Sequence, residues 1–493
     1  MVRYDAAIIG TGGDGLAAAI VLARAGLKIV VLERSSRPGG RHVTREFHPG
    51  FRASPFLDDI APIPPALFWS LGLARAGAHL APVPASLALG PDGSSLIGRG
   101  RGRGGAALAV LATADARIAA ILARGANDAV VVPNRFDFFR RPPCRPWPGE
   151  DWLLPSLGDL LAGHIDDSAL SAHLMARTLA GRACDPFLAG SAVHLLAPAS
   201  GGLTVRGGAG ALADALVRLA QEAGAEIRCD AEAGEIRQDR NGLSIVALAG
   251  GQEVTARALI STLDLKQSFL SLFVWDALPP QLLRRVGRFR MAGATARVLF
   301  ALDAPPELPR GLRRADLQVA PSPEAFAEAH AAWRAGTIPS APPTLLRLVS
   351  ARDPGLAPVG RAVLTATLSA VPFRLFDGAW THEQRALLRE RALAAAERAL
   401  PGITSRVLAA EVIAPPDIEA ALGATEGDLM GGELAADQML GARPWLGFPA
   451  PRTPVHGFYL AGPSTPAGAA ASLASGAYAA TALLADLKAG RLK

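Results

Sequence analysis

The feature that most limits the fold lies between Ala6 and Glu33. Ala6-Ala7-Ile8-Ile9 is a short apolar run that stops at Gly10-Thr11-Gly12-Gly13-Asp14-Gly15. Residues 16–25 then have the small, helix-favouring composition of a crossover helix, residues 28–32 read as a second strand, and Glu33 closes it. Strand, glycine turn, helix, strand and acidic residue, in that order, build a parallel pair with a nucleotide crevice. A diphosphate carries two negative charges and needs backbone N–H donors at hydrogen-bond distance. A Cβ at Gly12 would obstruct that approach, Gly10 permits the tight turn, Gly15 lets helix and strand pack closely, and the helix N-terminus adds positive potential. Glu33 can accept hydrogen bonds from ribose hydroxyls, and its carboxylate repels the 2′-phosphate of NADP, an effect that Arg34 offsets only in part. A glycine motif alone would mean little in a chain with 52 glycines, where a tight turn without ligand is the competing reading. The complete strand-to-acid context is what favours a nucleotide.

Composition sets the remaining bounds. At 493 residues the chain fits two or three domains, or one large discontinuous pair, so a buried cofactor is feasible. Half of the residues are hydrophobic and 19% are charged, which marks a globular chain. The formal charge of +6 is spread without a dense Lys/Arg block, so nucleic acid is not indicated as a partner. The Gly-Arg repeat at 98–105 reads as a loop; as an RNA-binding segment it is single, short and lacks interleaved aromatics. Cys144, Cys184 and Cys229 form no CxxC pair, and no His lies at metal spacing, so neither a zinc site nor a disulfide framework is expected. The N-terminal residues read as a strand rather than a secretory signal, and no run of about 18 uncharged apolar residues predicts a membrane span. The expected location is cytoplasmic, with peripheral membrane contact and oligomerisation left open.

Further along, Gly207-Gly208-Ala209-Gly210-Ala211-Leu212 introduces a helix to about residue 223, followed by strand-like runs at 226–229, 243–249 and 259–262. Residues 265–415 mix strands such as 296–302 with a long Ala-rich helix around 381–400, and 457–487 is again strand, glycine turn and helix.

The segment Glu33-Arg34-Ser35-Ser36-Arg37-Pro38-Gly39-Gly40-Arg41-His42-Val43-Thr44 resembles the extension E-x-x-x-x-x-G-G-x-x-x-T of phytoene desaturase-like enzymes and flavin amine oxidases. That resemblance implies FAD rather than NAD, and places Gly39, Gly40 and Arg41 beside the FAD phosphates. By the same likeness Ala233 takes the place of a residue contacting adenine, and Ser261 lies in the strand Ala258-Leu259-Ile260-Ser261-Thr262 returning to the dinucleotide. Gly427-Asp428-Leu429-Met430-Gly431-Gly432-Glu433-Leu434, Arg443-Pro444 and Gly457 to Gly462 are similar to a phytoene dehydrogenase-related branch. Its members carry a pyridine nucleotide-disulfide oxidoreductase domain name, although this chain has no CxxC redox pair. Gly462, Ala469 and Ala470 would then aim backbone donors at the flavin, with Pro463, which has no N–H, beside them. Relatives tend to carry T-H-P-G-G-G where this chain has Thr465-Pro466-Ala467-Gly468-Ala469-Ala470, so the family His is absent and no catalytic acid or base is carried over.

The expected fold is α/β: a Rossmann-type FAD-binding domain with a three-layer parallel sheet (residues 1–70, 200–265 and 420–493) and a discontinuous α+β substrate domain (71–199 and 266–419). Its cofactor site would comprise Gly10, Gly12, Gly13, Asp14, Gly15, Glu33, Arg34, Gly39, Gly40, Arg41, Ala233, Ser261, Gly462, Pro463, Ala469 and Ala470, with no metal. His164, His173 and His194 read as satisfied or surface histidines, Asp166-Asp167 as a helix start, and no GxSxG elbow suggests a hydrolase. The implied activity is desaturase-like oxidation of a hydrophobic small molecule by hydride transfer to flavin N5, with the electron acceptor undefined. A flavin amine oxidase, or a flavin-binding regulatory protein without turnover, are the alternatives.

Overall fold

The computed structural model describes residues 3–82, 86–89, 95–97, 155–163, 168–196, 202–238, 244–274, 276–308, 313–320, 322–439, 442–448, 450–466 and 473–492. Its first strand, Arg3–Ile9, is apolar and buried from Ala6 onward, and it lies at the centre of a seven-stranded sheet. Parallel neighbours are Ile29–Leu32 on one side and Glu253–Ser261 on the other; Glu226–Arg228 extends the first edge and Phe458–Leu460 pairs with the end of Glu253–Ser261. The sheet therefore collects parallel strands from the beginning, middle and end of the chain. An antiparallel hairpin, Ala233–Gln238 and Ser244–Leu248, completes it.

Helices Gly13–Arg24, Ala209–Glu222 and Ala474–Lys488 cover one face, with Ile8, Leu16, Ile20, Leu216 and Leu483 in a shared core. Phe269, Leu282 and Val286, from segments that follow the sheet's long strand, seal the other face against Ala7, Ile9 and Leu259. Three layers result, as the strand and helix order requires. Small residues set the spacing: a Cβ on Gly15 would sit 2.0 Å from the Gly10 carbonyl oxygen, so helix and turn can approach only without one.

A second sheet of seven strands has the order 407–413, 296–302, 362–368, 344–348, 316–319, 86–89 and 95–97. It is antiparallel except where 86–89 runs parallel to 316–319. Helix His382–Ala399 packs Leu388, Ala392 and Ala396 onto one face. The opposite face receives Phe51, Ala53 and Phe56, which follow the N-terminal nucleotide unit.

An ion cluster pins that junction. Arg347 donates through Nε and Nη2 to Asp316 at 2.9 Å each, and its Nη2 lies 2.8 Å from Asp59. Arg297 reaches Asp58 at 2.6 Å, and Arg352 pairs with Asp59 at 3.3 Å and with Asp316. Three carboxylates thus face three guanidinium groups, all buried. Burial, opposed by Arg347 but assisted by Asp316, pushes the Asp59 carboxyl up to about 6. Among the described residues no helix is long and apolar enough to cross a membrane.

Candidate functional site

A cleft of about 730 Å³ opens at the carboxyl ends of the parallel strands. It is lined by Gly10 to Asp14, by Glu33 to Pro38, by Gly40 to Val43, and by Ala233, Thr262, Asp264, Gly423, Asp428 and Pro463. Open parallel sheets bind ligands at this end.

The floor is the turn between the first strand and helix. Gly10 has φ +98°, a region that L side chains rarely adopt, and its N–H bonds the Leu32 carbonyl at 2.8 Å. Gly12 has an ordinary φ of −57°, yet a Cβ there would meet no atom within 4 Å, because its open side is the cleft. No side chain caps the helix that starts at Gly13, and its first residues, Gly13 and Asp14, line the cleft.

Glu33 is buried behind the turn. Its Oε2 accepts from the Thr11 N–H at 3.1 Å and from the Thr11 hydroxyl, and its Oε1 accepts from the Ser35 N–H at 2.9 Å. The Gly39 N–H in turn bonds Thr11 Oγ1 at 3.1 Å, which ties the Gly39-Gly40 segment to the glycine turn. Thr11, invisible as a site residue in the sequence, is thus the link between the two motifs. Arg34 lines the cleft while donating to the Ala420 carbonyl at 2.7 Å, and Arg41 lines it while donating to Leu429 at 2.9 Å. Asp14 is engaged elsewhere, since its carboxylate accepts from the Gly476 N–H at 3.3 Å and so joins the first helix to the last. Burial raises its pKa, against the pull of Ser475 and Arg41.

The opposite wall comes from the C-terminal third. Pro463 lines it, whereas Gly462, φ +83°, does not: it follows the strand Phe458–Leu460, its N–H bonds Ser475 Oγ at 2.8 Å, and a Cβ there would lie 2.7 Å from the Thr262 carbonyl oxygen. Asp428, also missed as a functional position, gathers the N–H groups of Ala292, Met430 and Gly432 at 2.8 to 3.0 Å. Arg443, 1% exposed, donates to the carbonyls of Met430, Gln438 and Pro463 at 2.7, 3.0 and 2.9 Å. Burial lowers this guanidinium to about 10. Together Asp428 and Arg443 hold the 428–433 loop against Pro463. A second recess, about 130 Å³, shares Asp428 and Leu429 with the cleft and is lined by Arg182, Cys184, Asp185, His194 and Glu433.

The structure brings Gly10, Gly12, Gly13, Asp14, Glu33, Arg34, Gly40, Arg41, Ala233 and Pro463 to one cleft. Gly15 and Gly39 support it from behind, through the close contact with Gly10 and the bond to Thr11. Ser261 does not reach it: the side chain is fully buried and its hydroxyl pairs with Ser268 at 2.8 Å, while the next residue, Thr262, lines the cleft. Ala469 and Ala470 lie outside the described residues, as do His164, Asp166, Asp167 and the Gly-Arg repeat. Among the described residues no group of His, Cys, Asp and Glu is arranged to hold a metal.

The residues fit a dinucleotide on physical grounds. An uncapped helix N-terminus, a backbone cradle into which a Cβ would project, and a buried His42 whose two ring nitrogens lack partners form a donor set that suits a diphosphate.

Buried histidines also give the protein an acid limit. Burial, reinforced by Arg41, lowers His42 to about 3; burial and Arg177 lower His173 to about 4; burial and Arg182 hold His194 well below its ordinary value. Unfolded, each ring titrates near 6.5. The depressed folded values therefore contribute stability that is complete above that value and is lost as pH falls below it, by at most about 1.4 kcal/mol per ring per pH unit. Asp14, Asp59, Asp264 and Asp428, all raised in the fold, work in the opposite sense, so the histidine contribution is isolated by substitution. From about pH 7 to about pH 5.5 the His173→Phe apoprotein is expected to lose less melting temperature than the wild type; equal changes in both would contradict the burial of this neutral ring.

Comparison with known proteins agrees with this geometry. Residues 8–71 match the model of an NAD(P)-binding Rossmann-like domain, and residues 156–484, more than half of the chain, match that of the flavin containing amine oxidoreductases. Over 549 aligned residues the chain is 26% identical to pyridine nucleotide-disulfide oxidoreductase domain-containing protein 2 of Rattus norvegicus, covering 99% of this chain and 94% of that protein. A 4,4'-diapolycopene oxygenase from Methylomonas sp is 27% identical over 50% of this chain and 47% of its own length. Among solved structures, wild-type putrescine oxidase bound to putrescine shares the fold with a TM-score of 0.63 at 17% identity, over 99% of both chains. Cyclohexylamine oxidase from Brevibacterium oxydans does so with a TM-score of 0.63 at 17% identity, over 98% of this chain and 99% of its own. Cleft, glycine turn and family match converge: the chain belongs to the flavin-containing amine oxidoreductase family and is an FAD-dependent oxidoreductase.

Proposed function

We propose that this oxidoreductase dehydrogenates a hydrophobic small molecule in the manner of a desaturase. When bound, FAD supplies the hydride acceptor at N5, and the acceptor that later takes its electrons is oxygen, a quinone or another oxidant. The chain's own residues supply position. Amides of Gly12 and Gly13 and the helix dipole hold the diphosphate, Glu33 accepts from the ribose hydroxyls, and Ala233 leaves room for the adenine. Asp428 and Arg443 tie the 428–433 loop to Pro463, so this side of the cleft is bounded by backbone held through buried hydrogen bonds.

The observation that carries the desaturase reading over amine oxidation is the absence of tyrosine among the described residues that line the cleft. All three tyrosines are committed elsewhere or lie outside it: Tyr4 bonds Glu226 at 2.6 Å, Tyr459 bonds Asp486 at 2.7 Å, and Tyr478 belongs to the C-terminal helix. Among those lining residues Phe56 is the one Phe, Tyr or Trp. Among the described lining residues, aromatic side chains to flank an amine beside the flavin are thereby missing, whereas alignment of an uncharged chain needs none. The likeness to a diapolycopene oxygenase supports the same side.

Anaerobic mixing of the FAD-loaded protein with polyene precursors, hydroxylated lipids and amines tests the reading. Bleaching of the flavin absorbance by polyene precursors alone is the expected result. Bleaching by amines, with substrate-dependent peroxide release in air, would favour the amine oxidase reading instead.

A further inference from the structure

His42 is a polar side chain that the fold buries without satisfying. It lines the cleft and is 5% exposed, and an ideal Cβ on Gly13 would lie 3.1 Å from its Cε1, so the ring sits against the first turn of the nucleotide-binding helix. Neither Nδ1 nor Nε2 has a hydrogen-bond partner. Its backbone is well placed by contrast, with its N–H bonded to the Gly39 carbonyl at 3.0 Å. Buried polar atoms are ordinarily paired, and an unpaired one in a ligand cleft points to a partner that arrives with the ligand.

We propose that the missing partner is FAD itself, and that His42 is a hydrogen-bonding ligand of the cofactor at its diphosphate end, donating from one ring nitrogen and leaving the other to accept. This rests on FAD lying along the Gly10-to-Gly15 turn. A neutral imidazole has one N–H and one lone pair, which match a phosphate oxygen and a neighbouring hydroxyl of the cofactor. The charged group acting on the ring is Arg41, which disfavours its protonation and itself interacts with Asp14; the Gly39 carbonyl favours the protonated form. Burial outweighs that carbonyl, so the ring is neutral at physiological pH.

Two variants, His42→Leu and His42→Gln, read by FAD titration and by melting of the apoproteins, test the assignment. His42→Leu is expected to weaken FAD binding about tenfold while raising the melting temperature of the apoprotein, because an unpaired ring is replaced by an apolar side chain. His42→Gln keeps a donor and should recover most of the affinity. A residue with only a structural role would behave the other way: His42→Leu would lower the apoprotein's melting temperature, or prevent folding, and leave FAD affinity unchanged, and either outcome overturns the proposal. Wild-type apoprotein that takes up no FAD would instead overturn the cofactor site as a whole, whereas wild-type-like FAD binding by the Leu variant overturns only the role of His42.

Discussion

Replacing Gly12 with aspartate is expected to give a protein that folds normally and carries no FAD. Gly12 has φ −57°, so an L residue is not strained there, and its Cβ would meet nothing within 4 Å. Gly12 is also the N-cap of the helix Gly13–Arg24, a position where aspartate is a favoured residue. Stability of the apoprotein should therefore be unchanged or slightly higher. The new carboxylate, however, projects into the space the diphosphate needs. Repulsion at about 4 Å with an effective dielectric near 20 costs about 4 kcal/mol, roughly a thousandfold in affinity. Gly12→Ala separates the steric part from the charge, and is expected to weaken binding less. FAD titration by fluorescence quenching, beside urea unfolding of the apoproteins, reads both effects. Full flavin loading of the aspartate variant would mean that the diphosphate lies elsewhere.

Removal of Arg347 is expected to damage the fold most. It contacts Asp316 twice at 2.9 Å and Asp59 at 2.8 Å, and it lies 3.6 Å from Asp58. Arg347→Met retains much of the volume but leaves three buried carboxylates with two guanidinium groups. Breaking a buried pair by removing one partner typically costs about 3–5 kcal/mol, since the remaining charge is uncompensated. The damage should reach the cofactor. Asp58 and Asp59 follow Pro55 and Phe56, which line the cleft, so FAD affinity is expected to fall along with the urea midpoint. A double variant that also replaces Asp316 with a neutral residue should recover part of the loss, because charge balance returns. An Arg347→Met protein with the wild-type midpoint would show that the cluster is not held together by this residue.

The parts of the fold that could be read in the sequence are those set by local pattern. Residues 6–33 were legible because strand, glycine turn, helix and acid follow without interruption, and the sheet indeed begins with Arg3–Ile9, Gly13–Arg24 and Ile29–Leu32. The helices Ala209–Glu222 and His382–Ala399 were equally plain. The second has a capping box at Thr381, whose N–H bonds Gln384 at 3.0 Å, so its start is written in the residues themselves. His173 and His194 proved buried rather than exposed, consistent with the satisfied reading for His194, which lies 3.3 Å from Arg182.

What could not be read is what distant segments do to one another. The ion cluster draws Asp58 and Asp59 to Arg297, Asp316, Arg347 and Arg352, and no local spacing relates these positions. Asp14 looks like a cofactor residue in the glycine motif, yet its carboxylate bonds a helix more than four hundred residues away. His42 passed as an unremarked position between Arg41 and Val43, because its unpaired ring exists only once the first helix is packed above it. Ser261 is the last residue of its strand and Thr262 the first beyond it, and the two part there: the first is buried in the core and the second lines the cleft.

A structure of the protein determined with FAD present would decide where the cofactor lies. One FAD per chain is expected, with its diphosphate over the amides of Gly12 and Gly13, its ribose at Glu33 and its adenine near Ala233. A cleft at the Gly10-to-Gly15 turn that stays closed by the chain's own side chains, with FAD absent or bound elsewhere, would contradict that placement.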